Sequence, residues 1–173
     1  IAFTAASAKT LSSAGNFDGI MFDEFEHCII NNNASVRIAS HFKTDQKLFK
    51  PLGVPSLLAE GENLDSQLAS YNSEMISKGG VELSGEHVFP VLFHTFARNG
   101  IVPNFKCQKE SCSNLQFAVA GGAALEYDTP LYSCVDLWYR NTFPGHSPEE
   151  LYSNLMFTYY AGVNKVYPES AEV

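Results

Sequence analysis

Acidic side chains follow several of the short apolar runs in this sequence. The run GIMF at 19–22 is followed by Asp23 and Glu24, and the run NKVYPE at 164–169 ends in Glu169. Ligands of α/β proteins bind beyond the carboxyl ends of the strands, so acids at these points are candidate site residues. Two carboxylates across a cleft, one protonated and one ionised, can break a glycosidic bond. Alternatively, such acids are solvated loop residues or helix caps.

Other reactive or binding side chains stand near the remaining strand ends. Lys106 follows the run IVPNF, and Asp136 and Trp138 lie in PLYSCVDLW. The face of an aromatic ring suits the apolar C–H face of a sugar, so Trp138 and Tyr167 are predicted to form a binding platform. His146, just ahead of a helix, either faces a ligand or shapes the turn. These residues complete the set predicted to bind substrate.

Short apolar runs alternate with amphipathic stretches along the chain. Strands are predicted at 18–24, 53–62, 101–106, 130–138 and 164–169. Helices are predicted near 34–50, at 62–79, 86–99 and 114–127, and within 144–163, where Ser147 is the cap and Gly162 the end. This alternation predicts parallel βα units, and therefore an α/β fold. We expect part of a TIM-like (β/α) barrel, with an open doubly wound sheet as the alternative.

Two helix starts carry capping signals. Ser147 precedes Pro148 and two glutamates, which is typical of an N-terminal cap followed by the first helical turn. Ser113 is predicted to cap the helix at 114–127. A complete eight-unit barrel typically needs about 250 residues. The 173 residues are therefore expected to be a single α/β domain or a fragment of a larger barrel.

The composition favours a globular protein and disfavours two classes of partner. The chain is 45% hydrophobic and has a formal net charge of −8, without a basic stripe. Nucleic acid and membrane are therefore not expected as partners. No phosphate-binding loop and no metal-binding histidine spacing are present, so no cofactor is predicted. Cys107 and Cys112 either form a small disulfide loop or remain free thiols, and the compartment stays open, secretion included.

Four stretches together resemble the later part of a glycoside hydrolase (β/α) barrel: FDGIMFDE, GIVPNFK, PLYSCVDLW and PGHSPEELYSNLMFTYYAGVNKVYPE. The resemblance covers most of residues 16–169. It implies that Glu24 is the acid/base and Glu169 the nucleophile of a retaining glycosidase. The family usually has Asn before the acid, whereas this chain has Asp23, which is therefore a second candidate for the acid.

The favoured function is a carbohydrate-active hydrolase that cleaves a glycosidic bond with paired carboxylates. One alternative is a non-catalytic carbohydrate-binding or interaction domain. Another is a metal-assisted hydrolase, in which Asp23, Glu24, Asp136 and Glu169 supply oxygen ligands to Mg²⁺ or Ca²⁺. An incomplete barrel has open sheet edges, which predicts a homodimer or association with a missing segment.

Overall fold

The computed structural model describes residues 4–23, 54–137 and 146–169. The chain folds into two compact units, Ile1–Leu83 with Asn99–Ile101, and Ser84–Arg98 with Val102–Val173. Among the residues that the structure describes, no helix combines the length and the apolarity that a membrane span requires.

The described part of the first unit is mostly helical. Its elements are α1 (Ala5–Ser12), β1 (Gly19–Phe22) and α2 (Val54–Glu74), which continues into a π-helical turn (Met75–Gly79). Leu64, Leu68 and Met75 are buried on the α2 side of this unit. Gly80 ends the turn with a φ of +65°, a conformation that costs glycine little. The helix predicted at 62–79 is thus confirmed, although it begins earlier, at Val54.

The second unit alternates strands and helices. Strand β2 (Glu82–His87) begins in the first unit and continues here. The remaining elements are α3 (Phe93–Arg98), β3 (Val102–Cys107), α4 (Ser113–Tyr127), β4 (Tyr132–Asp136), α5 (Pro148–Tyr160) and β5 (Lys165–Glu169). The pairs β2–β3, β3–β4 and β4–β5 are all parallel.

The strand order distinguishes the two predicted α/β architectures. Strands lie in the sheet in chain order, β1-β2-β3-β4-β5. A doubly wound sheet reverses its strand order at a switch point, whereas a (β/α) barrel adds each strand beside the last. The prediction of parallel βα units of the TIM-like kind is therefore confirmed, and the open doubly wound alternative is not.

The two faces of the second unit's strands differ in polarity. Phe105, Cys107 and Val135 are buried in a core with small side chains of α4, including Ala120 and Ala123. Successive side chains of a strand point to opposite faces. The residues between these apolar positions therefore face away from α4, and they include the charged members of the candidate site. One face of these strands packs against the hydrophobic core, and the other carries the charged side chains.

The predicted cap of α5 is confirmed, and that of α4 is wrong. The Ser147 hydroxyl accepts from the Glu150 N–H, and the Glu150 carboxylate accepts from the Ser147 N–H, which is a capping box. The N-cap of α4 is Cys112, without a side-chain hydrogen bond. The Ser113 hydroxyl instead bonds the backbone of Gln108.

Two other sequence predictions were wrong in the middle of the chain. Residues 53–62 were predicted as a strand, but the helix α2 begins at Val54 and includes the rest of this stretch. The helix predicted at 86–99 exists only as α3, because β2 occupies its start. The sequence ELSGEH is too polar to resemble a buried strand. The helix predicted near 34–50 lies outside the described residues.

The cysteine alternatives resolve in favour of free thiols. Cys107 is buried on β3, Cys112 is exposed, and neither takes part in a disulfide.

Candidate functional site

Four charged side chains meet near the carboxyl ends of four adjacent parallel strands. They are Glu86 on β2, Lys106 on β3, Asp136 on β4 and Glu169 on β5. Asp136 and Glu169 are paired in register as the last residues of their strands. Glu86 and Lys106 each lie one residue before the end of theirs. We call these four residues the lysine cluster.

Lys106 is the centre of this cluster. Its Nζ lies 3.0 Å from Asp136 Oδ2, 3.3 Å from Glu169 Oε2 and 3.5 Å from Glu86 Oε1. The Lys106 side chain is 3% exposed, and those of Glu86 and Asp136 are fully buried. Glu169 differs, because 26% of its side chain is exposed. Glu169 is therefore the member of the cluster that a solvent-borne molecule can reach.

The electrostatics of the cluster keep Lys106 charged. Burial by itself lowers the pKa of a lysine, since it penalises the charged form. Here Glu86, Asp136 and Glu169 outweigh burial and raise the pKa of Lys106 well above its ordinary value. A nucleophilic lysine needs a lowered pKa so that its amine is neutral. Lys106 is consequently a fixed ammonium ion and not a Schiff-base nucleophile.

Cys134 lies beside the cluster on β4. Its Sγ is 3.5 Å from Glu169 Oε2, which places the thiol as a weak donor to the carboxylate. Burial first, and then Glu86 and Glu169, raise the pKa of Cys134 far above its usual range. The thiolate is the nucleophilic form of cysteine, so the raised pKa disfavours Cys134 as a nucleophile.

The sequence predictions found three of the four members. Lys106, Asp136 and Glu169 were predicted as site residues, and the fold brings them together. Glu86 was missed because β2 was taken for the start of a helix. Its one signal in the sequence is the alternation of Val81 and Leu83, both buried, ahead of the acid.

The other predicted residues lie elsewhere. Asp23 is exposed directly after β1, in the first unit. Tyr167 is half exposed on β5, on the same face as Glu169. The His146 side chain is buried, with Nε2 3.1 Å from Glu110 Oε1, and it takes no part in the cluster. Glu24 and Trp138 lie outside the described residues, and so does the predicted Glu24–Glu169 separation.

The described residues do not fit a metal centre at this point. The three carboxylates lie within 3.5 Å of the Lys106 ammonium, which occupies the place a cation would take between them. Across residues 4–23, 54–137 and 146–169, no group of three or more His, Cys, Asp or Glu side chains could hold a metal ion. Asp136 and Glu169, which were predicted as oxygen ligands of a metal ion, instead form ion pairs with Lys106.

Fold and site together define a parallel βα protein of the TIM-like class with a charged cluster at its strand ends. In such folds the carboxyl ends of the strands carry the active site. Among the described residues, the cluster joins three carboxyl groups to one ammonium group. Such an arrangement can hold or move a proton.

Comparison with known proteins adds a fold relationship. No protein-family model and no curated protein sequence matches the chain. Two crystal forms of a 2,3-dimethylmalate lyase, a PEP mutase/isocitrate lyase superfamily member, have a similar structure, with TM-scores of 0.50 and 0.49. Sequence identity is 14% and 13%, and the matches cover 97% and 96% of this chain. The chain spans about half of the lyase, 56% and 54% of its length.

These findings correct the predicted glycosidase. The similar structures belong to a lyase of the PEP mutase/isocitrate lyase superfamily, not to a glycoside hydrolase. The barrel-like fold was inferred correctly, but the same fold serves many chemistries, so it did not define the activity. The nucleophile role of Glu169 rested on that resemblance and is withdrawn with it. The sugar platform of Trp138 and Tyr167 was predicted from their aromatic rings, and it is not proposed again because it served the same carbohydrate function. The carbohydrate-binding and metal-assisted hydrolase alternatives are withdrawn as well.

Proposed function

We propose that this chain carries the acid–base site of a lyase-type enzyme, in which Glu169 moves a proton at a carbon next to a carbonyl group. One observation supports it above the others. Glu169 is the accessible carboxylate of a buried charged cluster at the carboxyl ends of parallel strands. A general base must be reachable by its substrate and held in its ionised form. Glu169 meets the first condition by its exposure and the second by its lysine partner.

The proton transfer is a simple exchange of bonds. The C–H bond next to the carbonyl breaks, and its proton moves to a Glu169 carboxylate oxygen. The electron pair of that bond delocalises into the carbonyl group as an enolate. In the reverse direction, protonated Glu169 returns the proton to carbon. A lyase that makes or breaks a bond at the carbon next to a carbonyl passes through such an enolate. The proposed proton transfer is therefore a step that a lyase would use.

Lys106 acts through Glu169 and is a positioning residue. Its ammonium lies 3.3 Å from Glu169 Oε2 and is held from the other sides by Asp136 and Glu86. The charge-assisted contact orients one carboxylate oxygen. The second oxygen, Oε1, is then the one we assign to the proton. Because Lys106 is almost completely buried, substrate meets Glu169 and not the ammonium.

The charge of the cluster limits the substrate class. Three carboxyl groups surround one ammonium group in the described cluster, and this excess of acids disfavours an anion at the reacting end, so we propose an uncharged or cationic oxo compound. The lyase with the similar structure is named for a dicarboxylate, dimethylmalate. We therefore extend only the reaction class to this chain, and not that substrate.

Hydrogen exchange at carbon tests the proposal without knowledge of the complete reaction. The chain is incubated in D₂O with small uncharged ketones and with amino ketones, and loss of the proton signals next to the carbonyl is followed by NMR. We expect exchange by the wild-type chain and a loss of roughly 100-fold or more in Glu169→Gln, since a general base contributes about that factor. Glu126→Gln is the matched control, because Glu126 is an exposed acid on α4.

Two outcomes would overturn this function. Equal exchange rates in Glu169→Gln and the wild-type chain would remove Glu169 as the base. Absence of exchange in every tested compound would remove carbon-acid chemistry. Thermal unfolding of each variant distinguishes a chemical effect from loss of the fold.

A further inference from the structure

The proton transfer at Glu169 develops negative charge on the carbonyl oxygen of the substrate. A preorganised hydrogen-bond donor at such an oxygen is usually a large source of rate enhancement, because it meets the charge where it forms. The Lys106 ammonium does not supply this donor, since its side chain is 3% exposed and is paired with three carboxylates. The donor therefore has to be an exposed group close to Glu169.

The side chains around Glu169 differ in exposure between the two neighbouring strands. Opposite residues of paired strands share a face of the sheet, and so do alternate residues of one strand. On β4, the side chains of this face are buried, namely those of Tyr132, Cys134 and Asp136. On β5, the same face carries Lys165 and Tyr167 ahead of Glu169, and both are exposed. Among the described residues of these two strands, Lys165 and Tyr167 are thus the exposed donors on the face of Glu169.

Lys165 contacts a different part of this face. It lies four residues before Glu169, which is about 13 Å along a strand. Its Nζ is 5.0 Å from the centre of the Tyr132 ring, and this cation–π contact is at the start of β4. Lys165 is therefore held away from the Glu169 carboxylate.

Tyr167 lies beside the Glu169 carboxylate. The two residues are about 7 Å apart along β5, a spacing within reach of an aromatic side chain. Cys134 is the register partner of Tyr167, and its Sγ is 3.5 Å from Glu169 Oε2. The carboxylate thus reaches back from the end of β5 toward the pair of Cys134 and Tyr167. Because Tyr167 is 49% exposed, a molecule that contacts Glu169 also has access to the tyrosine.

We propose that Tyr167 is a catalytic residue of the Glu169 site, and that its phenol O–H donates a hydrogen bond to the carbonyl oxygen of the substrate. This inference rests on the proposed function of Glu169. The C–H proton moves to Glu169, and the electron pair of that bond moves to the carbonyl oxygen. The phenol keeps its proton throughout, and its hydrogen bond strengthens as the oxygen becomes negative. The carboxylate then serves the reacting carbon, and the phenol serves the oxygen.

Tyr167→Phe tests this role, because the variant removes only the hydroxyl of a half-exposed side chain. Deuterium exchange into acetone and other uncharged ketones is followed by NMR over a range of concentrations. We expect kcat to fall roughly 100-fold with little change in KM, since loss of one oxyanion donor costs about 10²–10³ in kcat. Tyr159→Phe is the matched control, because Tyr159 is 73% exposed on α5 and should leave the exchange rate unchanged.

A stable enolate gives a second measurement, which does not depend on turnover. Pentane-2,4-dione loses a proton readily, and its enolate is detected by absorbance in the near ultraviolet. When the wild-type chain binds the dione, Glu169 takes up the proton and the enolate band should appear. Tyr167→Phe should need about tenfold more dione for the same band, as expected for loss of a hydrogen bond to a charged group. Glu169→Gln should give no band.

The outcomes separate the role of Tyr167 from the function on which it rests. Exchange that is equal in Tyr167→Phe and the wild-type chain would overturn the role of Tyr167 and leave Glu169 as the base. A loss that appears in KM alone would overturn it too, because a group that binds only the ground state does not stabilise the enolate. Neither exchange nor an enolate band in the wild-type chain would overturn both proposals. Thermal unfolding of Tyr167→Phe distinguishes loss of the donor from loss of the fold.

Discussion

Replacement of Lys106 by Met is the sharpest perturbation of the second unit. The variant keeps most of the apolar stem of the side chain and removes its ammonium group. Three carboxylates then lose the ammonium group that lies within 3.5 Å of each, and two of them, Glu86 and Asp136, are fully buried. Burial of an uncompensated charge is among the few single changes with a large effect on stability.

The size of the effect follows from burial. Removal of one partner from a buried ion pair costs about 3–5 kcal/mol, and we expect the upper part of this range because Lys106 serves three carboxylates. Domains are stable by about 5–15 kcal/mol, so the loss is a large share of the total. For a chain of this size it corresponds to a decrease of roughly 10–20 °C in Tm.

The effect must also depend on pH with a defined sign. The pKa of Lys106 is raised in the folded state, so its contribution is complete below its ordinary value of 10.5 and is lost only as pH rises beyond it. In the variant, burial and mutual repulsion raise the carboxylate pKa values in the folded state. Folding then takes up protons, so the variant regains stability as pH falls. The gap between variant and wild-type chain should be widest near neutral pH and narrower toward pH 5.

Denaturant unfolding between neutral and mildly acidic pH measures both quantities. Lys109→Met is the matched control, because Lys109 forms a partly exposed pair with Glu150 and should contribute at most about 1 kcal/mol. Exchange of Glu86 and Asp136 for their amides should recover much of the loss in Lys106→Met. The reasoning is refuted if Lys106→Met costs no more than Lys109→Met, or if its deficit grows on acidification.

Two further predictions concern packing and capping. Gly85→Ala should lower the free energy of unfolding by about 1–3 kcal/mol, since a Cβ there would overlap the buried Phe96 ring. Gly122→Ala has open space and should stabilise α4 by up to about 1 kcal/mol. Equal effects of the two substitutions in thermal unfolding would contradict this packing. Ser147→Ala should cost about 1 kcal/mol by removing the capping box with Glu150, and a change within error would show that the box contributes nothing.

Hydrophobicity predicted the fold where strands are apolar and failed where a strand carries charge. The strands β1, β4 and β5 lie within runs that were predicted as strands, and β3 extends one residue beyond its predicted run at 101–106. Strand β2 was missed because its residues Ser84, Glu86 and His87 are polar, and they are buried only because of tertiary partners. Tertiary contacts of this kind override local propensity. The helical start at Val54 was mistaken for a strand because a short apolar run fits either structure.

The position of the site was predictable from the sequence, but the contacts between its side chains were not. Strand ends located Lys106, Asp136 and Glu169 because parallel strands deliver their carboxyl ends to one edge. The sequence does not tell which side chains become neighbours across strands, since this depends on register. Register places Asp136 beside Glu169 and brings Lys106 between the acids. The expected pair of Glu24 and Glu169 lies partly outside the described residues, and the structure shows Glu169 in contact with the Lys106 ammonium group.

The four members of the lysine cluster are unequally buried, which favours a catalytic role for the cluster over a purely stabilising one. A buried ion cluster contributes little net stability, because desolvation offsets much of the attraction, and apolar residues of similar size often do as well. The cluster is also not closed, since Glu169 is 26% exposed while the other members are buried. A purely structural cluster gains nothing from an exposed member, whereas an acid–base site needs one. Substitutions in the cluster should therefore affect stability and proton transfer to different degrees. Loss of Glu169 should remove proton transfer at a small cost in stability, and loss of Lys106 should impair both.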